Sequence, residues 1–205
     1  MPELVNAWLD QLLVDNEFYY PRVWLSSRDM DQAESLCSSF YQNGAQRIAV
    51  VNFGYGGNPR KRVGAYFEVQ LILDLLKEPD TVVILDRGFG VEEAANTEYL
   101  LKEIQKQGYP YAQGSFAELP AGMDMSWGVL AIECQLGEIG SLIACSNEFI
   151  GYDSACQHIA AALEVPCITI FAGSNNMRFI RRWSALGKKS SQIVHADTLN
   201  HPLGI

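Results

Sequence analysis

The chain has 205 residues, of which 48% are hydrophobic and 19% charged, and this composition excludes a largely disordered protein. The 15 Lys and Arg residues against 24 Asp and Glu give a net charge of -9, which disfavours nonspecific nucleic-acid binding, a function typical of basic proteins. The sequence contains no uncharged apolar run of 18 residues, so we expect no membrane span. Five cysteines without a C-x-x-C pair favour a reduced, cytoplasmic setting.

The N-terminal segment differs from the rest of the chain. Leucine and tryptophan side chains recur at nearly 3.6-residue spacing over residues 3–13, which predicts a helix. The helical pattern then breaks around Pro21. We therefore place an N-terminal helix and linker at residues 1–20 and a single α/β domain at residues 21–205.

The remainder of the chain alternates between predicted helices and strands. A polar helix over 26–43 begins with capping-box spacing, and the apolar run 47–53 is typical of a strand buried on both faces. Further strands are predicted at 81–86, 129–134, 148–151, 167–171 and 192–196. Further helices are predicted at 62–77, 91–107, 138–146, 153–163 and 175–183. Residues 109–126 are expected to be irregular. This alternation predicts an α/β fold with one Rossmann-like, doubly wound, mostly parallel sheet.

A glycine-rich loop at residues 54–62 follows the first predicted strand. Its backbone is flexible around Gly56, and its end, Arg60-Lys61-Arg62, is the densest positive patch of an acidic chain. Cations at the start of a helix oppose the helix dipole, which favours an anionic ligand over a solvated charge cluster. We therefore predict that Gly56, Lys61 and Arg62 contact such a ligand.

The loop at residues 85–93 resembles a dinucleotide-binding fingerprint, but the match is incomplete because Glu93 occupies the position of the third glycine. Glu92 and Glu93 either favour the N-terminus of their own helix, or one of them binds ribose hydroxyls. An NAD-dependent oxidoreductase is disfavoured by the missing glycine.

The segment after strand 148–151 has the features of an anion site. In doubly wound folds, ligands bind beyond the carboxyl ends of the strands. The first N–H groups of the alanine-rich helix, from Ser154 onward, lack partners within the helix, and with the helix dipole they favour a diphosphate. Asp153 either caps this helix or faces sugar hydroxyls, since a carboxylate repels phosphate. His158 lies one turn beyond Ser154 and either reaches the same loop or is a hydrogen-bonded core histidine.

Two other chemistries fit this segment poorly. Asp153, Ser154 and His158 lie too close together on one helix to form a hydrolase triad, and the G-x-S-x-G elbow is absent. The pair Cys156 and His158 lacks further ligands at suitable spacing, so we expect no metal.

Two stretches resemble a known family. SLIACSNEFIGYDSACQHIAAALEVPCITIFAGS, followed by RRWSALG, resembles the C-terminal half of family 9 glycosyltransferases, the lipopolysaccharide heptosyltransferases. NPRKRVGAYFEVQLILDLL resembles the Lys-Arg helix start of the same family, so the resemblance covers about residues 20–190. It implies the donor-binding half of a GT-B enzyme, with a nucleotide-activated sugar such as ADP-heptose as donor, a cell-envelope glycan or lipid as acceptor, and no metal or other cofactor.

The resemblance also implies roles for individual residues. It places Lys61 at the diphosphate or sugar of the donor, phosphate on the backbone of Ser154 and Ala155, Asp153 at the sugar, and Glu92 or Glu93 near the nucleoside. Family members have an additional N-terminal half that carries the acceptor site and the proposed base, so no catalytic residue is assigned in this chain.

The sequence departs from the family pattern at Ala155, where the family has glycine, and at Val63-Gly64, where it has Trp-Pro. We expect negligible transferase activity without an N-terminal half, self-association through an exposed apolar face, and a cytoplasmic location, with peripheral attachment to the inner membrane as an option. The alternative is a noncatalytic module of the same fold that binds a nucleotide or a protein.

Overall fold

The computed structural model describes residues 2–13, 18–119 and 122–200. Within these ranges seven strands form one sheet: β1 (Arg47–Asn52), β2 (Thr81–Asp86), β3 (Tyr111–Ser115), β4 (Gly128–Glu133), β5 (Glu148–Tyr152), β6 (Cys167–Phe171) and β7 (Ser191–His195). The strand order is β3-β4-β2-β1-β5-β6-β7, and every neighbouring pair is parallel. The predicted α/β fold with a single doubly wound sheet is confirmed, and the sheet is parallel throughout.

Helices cover both faces of this sheet. They are α1 (Pro2–Leu13), α2 (Ser27–Gln42), α3 (Ala65–Leu76), α4 (Val91–Lys106), α5 (Leu136–Ala144), α6 (Ala155–Ala162) and α7 (Met177–Trp183). Successive strand residues point to opposite faces, so Ile48 and Val50 of β1 pack with α2, α5 and α6, whereas Ala49 and Val51 pack with α3 and α4. A core on each face explains why the strands are continuously apolar in sequence.

Two elements differ from the sequence predictions. Residues 109–126 were expected to be irregular, but β3 lies within them as an edge strand paired with β4. β3 is half-buried and contains Gln113 and Gly114, so it lacks the apolar run that marks an interior strand. Helix α3 begins at Ala65 and not at residue 62, because Pro59–Lys61 form a separate 3-10 turn.

The order of the strands places a topological switch point between β1 and β5. From β1 the chain proceeds to β2 on one side, and it later returns to β5 on the other side of β1. The two strands approach closely at their carboxyl ends, where a Cβ on Gly151 would lie 2.5 Å from the carbonyl oxygen of Asn52. Ligand clefts in open α/β sheets form at such a point, so this edge positions the candidate site.

Helix α1 is anchored through a buried side chain. Asn6 Nδ2 donates to the carbonyl of Tyr19 (2.9 Å), and the Tyr19 N–H donates back to Asn6 Oδ1 (2.5 Å). The other face of α1 exposes apolar side chains, among them Leu4, Trp8 and Leu12. Within the described ranges, no helix is long and apolar enough to cross a bilayer. The division into residues 1–20 and 21–205 stays a prediction, and residues 1 and 14–17 lie outside the described part.

Candidate functional site

A cleft of about 400 Å³ opens at the carboxyl ends of β1, β2 and β5. Its polar walls come from the residues that end or follow these strands: Asn52, Asp86, Glu93 and Ser154. Glycines 54, 56, 57 and 88 also line the cleft. Gly56 has a φ of +58° and open space around its α-carbon, so this part of the predicted anion loop leaves the backbone accessible to a ligand.

Asn52 connects the three loops that surround the cleft. Its Oδ1 accepts hydrogen bonds from the Gly54 N–H (3.1 Å) and the Ser154 hydroxyl (3.4 Å). Its Nδ2 donates to Asp86 Oδ2 (2.5 Å). Asn52 and Asp86 were not among the predicted site residues, although each is the last residue of a strand that the sequence did predict. Their position at the carboxyl end of a buried strand is the signal that identifies them.

Helix α6 starts at the edge of the cleft. Ser154 is its N-cap residue, but the Ser154 side chain accepts no hydrogen bond from the first N–H groups of the helix. The first N–H groups of α6 are therefore left without a side-chain cap at the edge of the cleft, which Ala155 also lines. Asp153, the residue before the N-cap, does not act as the cap. Its Oδ1 accepts from Gln157 Nε2 (2.8 Å) on the next turn of the helix.

Lys61 extends from the loop after β1 to the start of α6. Its Nζ lies 2.9 Å from Asp153 Oδ2 and donates a second hydrogen bond to the Asp153 carbonyl (3.1 Å). The Lys61 side chain is 28% exposed and that of Asp153 9% exposed. The loop that was predicted to be cationic therefore contacts the start of the helix that was predicted to bind a diphosphate. The sequence predicted these two segments separately and did not predict the contact.

Arg62 points away from this contact. Its guanidinium binds Glu68 in a bidentate manner, with both N–O distances 2.6 Å, and a third nitrogen donates to Asn96 Oδ1 (3.0 Å). Glu68 is fully buried, and this carboxylate raises the pKa of Arg62 despite the opposing effect of burial. Neither Arg62 nor Lys61 is among the residues that line the cleft, but Lys61 binds Asp153, the chain neighbour of the lining residue Ser154.

The two glutamates of the loop after β2 have different positions. Glu93 lines the cleft and accepts hydrogen bonds from the N–H groups of Tyr55 (3.2 Å) and Phe89 (2.8 Å). Glu92 accepts a hydrogen bond from the Tyr55 hydroxyl (3.2 Å) outside the residues that line the cleft. Burial raises the pKa of the neighbouring Asp86 carboxyl, and hydrogen bonds from Gly88 and Asn52 oppose the rise.

His158 lies in a different pocket. This second cavity, of about 500 Å³, lies between α1 and the body, and its other lining residues include Leu9, Tyr19 and Trp183. Burial lowers the pKa of the His158 imidazole, while the Asp153 carboxylate opposes the shift. The structure therefore separates His158 from the cleft that contains Gly56, Ser154 and Ala155. In residues 2–13, 18–119 and 122–200, no three His, Cys, Asp or Glu side chains are grouped to hold a metal.

Part of the chain matches a known family of proteins. Residues 112–201 match the model of glycosyltransferase family 9 (heptosyltransferase). Over 55 residues, 27% of this chain, the sequence is 44% identical to lipopolysaccharide heptosyltransferase 3 of Escherichia coli, of which the match covers 16%. The resemblance to family 9 glycosyltransferases is confirmed. The family 9 match contains the start of α6, whereas the loop with Lys61 lies before it.

Solved family 9 structures share the fold. The chain superposes on E. coli ADP-heptose heptosyltransferase II with a TM-score of 0.62 at 18% identity, covering 90% of this chain and 48% of that one. A family 9 glycosyltransferase of Veillonella parvula gives a TM-score of 0.57 at 15% identity, over 95% and 50% of the two chains. An E. coli heptosyltransferase solved with ADP gives 0.52 at 15% identity, over 78% and 42%. The chain therefore spans about half the length of these structures, and its sheet has the α/β architecture of their GT-B fold.

Proposed function

We propose that this chain is the donor-binding half of a heptosyltransferase-like glycosyltransferase, and that its cleft holds a nucleotide-diphosphate sugar. The observation that carries the proposal is the contact between Lys61 and Asp153 at the uncapped start of α6. A lysine ammonium and the first N–H groups of a helix are both attracted to a diphosphate, and here they meet at one edge of a cleft.

The remaining groups of the cleft suit the other parts of such a donor. Carboxylates accept hydrogen bonds from hydroxyl groups, so Asp86 and Glu93, which line the cleft, are suited to the ribose, and Asp153, next to the lining residue Ser154, to the sugar. The ADP-heptose-like character of the donor is supported by the E. coli heptosyltransferase structures, which contain ADP or ADP-2-deoxy-2-fluoro heptose.

In the proposed reaction, the acceptor hydroxyl attacks the anomeric carbon, and the bond from that carbon to the diphosphate breaks. The departing diphosphate gains negative charge, which Lys61 and the dipole of α6 stabilise without a metal. The acceptor, a cell-envelope glycan or lipid, and the base that removes its proton are assigned to an N-terminal half. We therefore propose negligible turnover for this chain alone, a cytoplasmic location with peripheral membrane attachment, and self-association through its exposed apolar side chains.

Calorimetric titration of the purified chain with ADP, UDP, GDP and NAD tests the proposal. We expect ADP to bind, and Lys61→Ala to weaken it by about 10- to 100-fold, the size of a lost charge-assisted hydrogen bond. Lys77→Ala is the matched control, because Lys77 is an exposed lysine paired with Asp74 on α3. Absence of binding to all four would favour the noncatalytic module, and a preference for NAD an oxidoreductase. Turnover of an ADP-sugar by the chain alone would contradict the predicted inactivity.

A further inference from the structure

We propose that Arg62, Glu68 and Tyr152 form a buried positioning network that holds Lys61 against the start of α6. The inference rests on the proposed function, because it concerns how the diphosphate contact of Lys61 is maintained. It assigns Arg62 to the support of the site and not to the ligand.

Hydrogen bonds connect the three side chains of the network to one another and to the backbone after Arg62. Glu68 on α3 is fully buried, and both of its carboxylate oxygens accept from the Arg62 guanidinium. The Tyr152 hydroxyl, at the end of β5, donates to Glu68 Oε1 (2.9 Å). The same hydroxyl accepts from the N–H of Val63 (3.0 Å), the residue after Arg62. The network therefore joins the end of the cationic loop to the end of β5 through side chain and backbone.

The two ends of this network are the chain neighbours of the ion pair. Lys61 precedes Arg62, and Asp153 follows Tyr152. Fixing Arg62 and Tyr152 therefore fixes the backbone on which Lys61 and Asp153 meet at 2.9 Å. Lys61 ends the 3-10 turn Pro59–Lys61, whereas Arg62 is its extended C-cap residue, and the two side chains take different partners: Arg62 binds Glu68 and Lys61 binds Asp153.

Burial makes this arrangement rigid. A buried carboxylate is tolerated when each of its oxygens is paired, and few other arrangements would pair both oxygens of Glu68. Burial and the adjacent Glu68 raise the pKa of Tyr152, so its hydroxyl keeps the proton that it donates. The ring of Tyr152 also packs against Phe53, with centroids 5.6 Å apart, and would keep its place if the hydroxyl were removed.

A double-mutant cycle on ADP binding tests the inference with Tyr152→Phe, Lys61→Ala and the double variant. We expect Tyr152→Phe to weaken ADP binding about fivefold, and to have no further effect in the Lys61→Ala background, because the network acts through Lys61. Tyr41→Phe is the matched control, since its hydroxyl donates to Asn147 at the opposite end of the sheet. Additive effects would overturn the inference, because a network that only stabilises the fold would weaken both backgrounds equally.

A second readout separates this inference from the proposed function. If the wild type binds no ADP, the proposed function fails, and the rate of Lys61 acetylation by acetic anhydride, followed by mass spectrometry, still reports the positioning. We expect faster acetylation in Tyr152→Phe than in the wild type or Tyr41→Phe, and equal rates would overturn the inference. If Tyr152→Phe does not fold, Arg62→Lys takes its place in both experiments, because it keeps the charge and loses the bidentate contact.

Discussion

Lys61 and Asp153 lie 92 positions apart in the sequence, and the Lys61 ammonium contacts both the carboxylate and the carbonyl of Asp153. The pair spans the topological switch point from the loop after β1 to the start of α6. Asp153 Oδ2 already binds the ammonium that the diphosphate of the proposed donor would contact. A diphosphate must therefore compete with a carboxylate for the same ammonium.

We predict that Asp153→Asn strengthens the binding of ADP about fivefold, equivalent to roughly 1 kcal/mol. The amide oxygen can still accept from Gln157, while the charge that repels phosphate and occupies Lys61 is removed. Calorimetry at fixed ionic strength measures the change, and Asp74→Asn, an exposed carboxylate on α3, is the control. Weaker ADP binding would mean that Asp153 acts through something other than its charge.

Ala155 gives a second prediction about affinity. It stands where the resemblance to family 9 implies glycine, and it lines the cleft at the first turn of α6. We expect Ala155→Gly to tighten ADP binding about threefold, because a phosphate can then approach the backbone more closely. Ala162→Gly, in the last turn of α6, is the control. It destabilises the same helix by about 0.5–1 kcal/mol but leaves the cleft unchanged. Unchanged affinity in Ala155→Gly would place the diphosphate elsewhere.

The fold was predictable because its strands are buried on both faces and appear as apolar runs, whereas the half-buried edge strand β3 gave no such pattern. The site was predictable at the level of its loops but not of each side chain. Three adjacent cations look equivalent in sequence, yet the buried Glu68 binds Arg62, which follows the 3-10 turn, while Lys61 at the end of that turn binds Asp153. His158 shares a helix with Ser154, but it faces α1, whose position depends on the contact of Asn6 with Tyr19.

A comparison of two glycines tests how tightly the cationic loop is packed. Gly173 and Gly56 both have positive φ, but a Cβ on Gly173 would lie 2.1 Å from the carbonyl oxygen of Arg60, whereas Gly56 has open space. We expect Gly56→Ala to cost about 1 kcal/mol of unfolding free energy from backbone strain alone. Gly173→Ala should cost at least about 1 kcal/mol more, because the loop must also move. Urea denaturation measures the loss of unfolding free energy in both variants. Equal losses would show that the loop at Arg60 moves away from the added Cβ without a measurable cost.

Asp86 makes the stability of the chain depend on pH. Because burial raises its pKa in the folded state, the native chain keeps this proton at pH values where the unfolded chain, with an ordinary pKa of about 3.9, has lost it. The free energy of unfolding therefore falls as pH rises from about 3.9 to the raised value, and Asp86 contributes no slope at lower pH, where both states are protonated.

Asp86→Asn should remove this slope. We expect the unfolding free energy of the wild type minus that of the variant to fall as pH rises above about 4, and to be flat below it. Urea unfolding from about pH 3 to about pH 7 measures the difference, with Asp74→Asn as the exposed control. A difference that rises with pH would instead show that the hydrogen bonds from Gly88 and Asn52 to the carboxylate outweigh the effect of its burial. The folded chain would then lower the pKa of Asp86 and favour its ionised form.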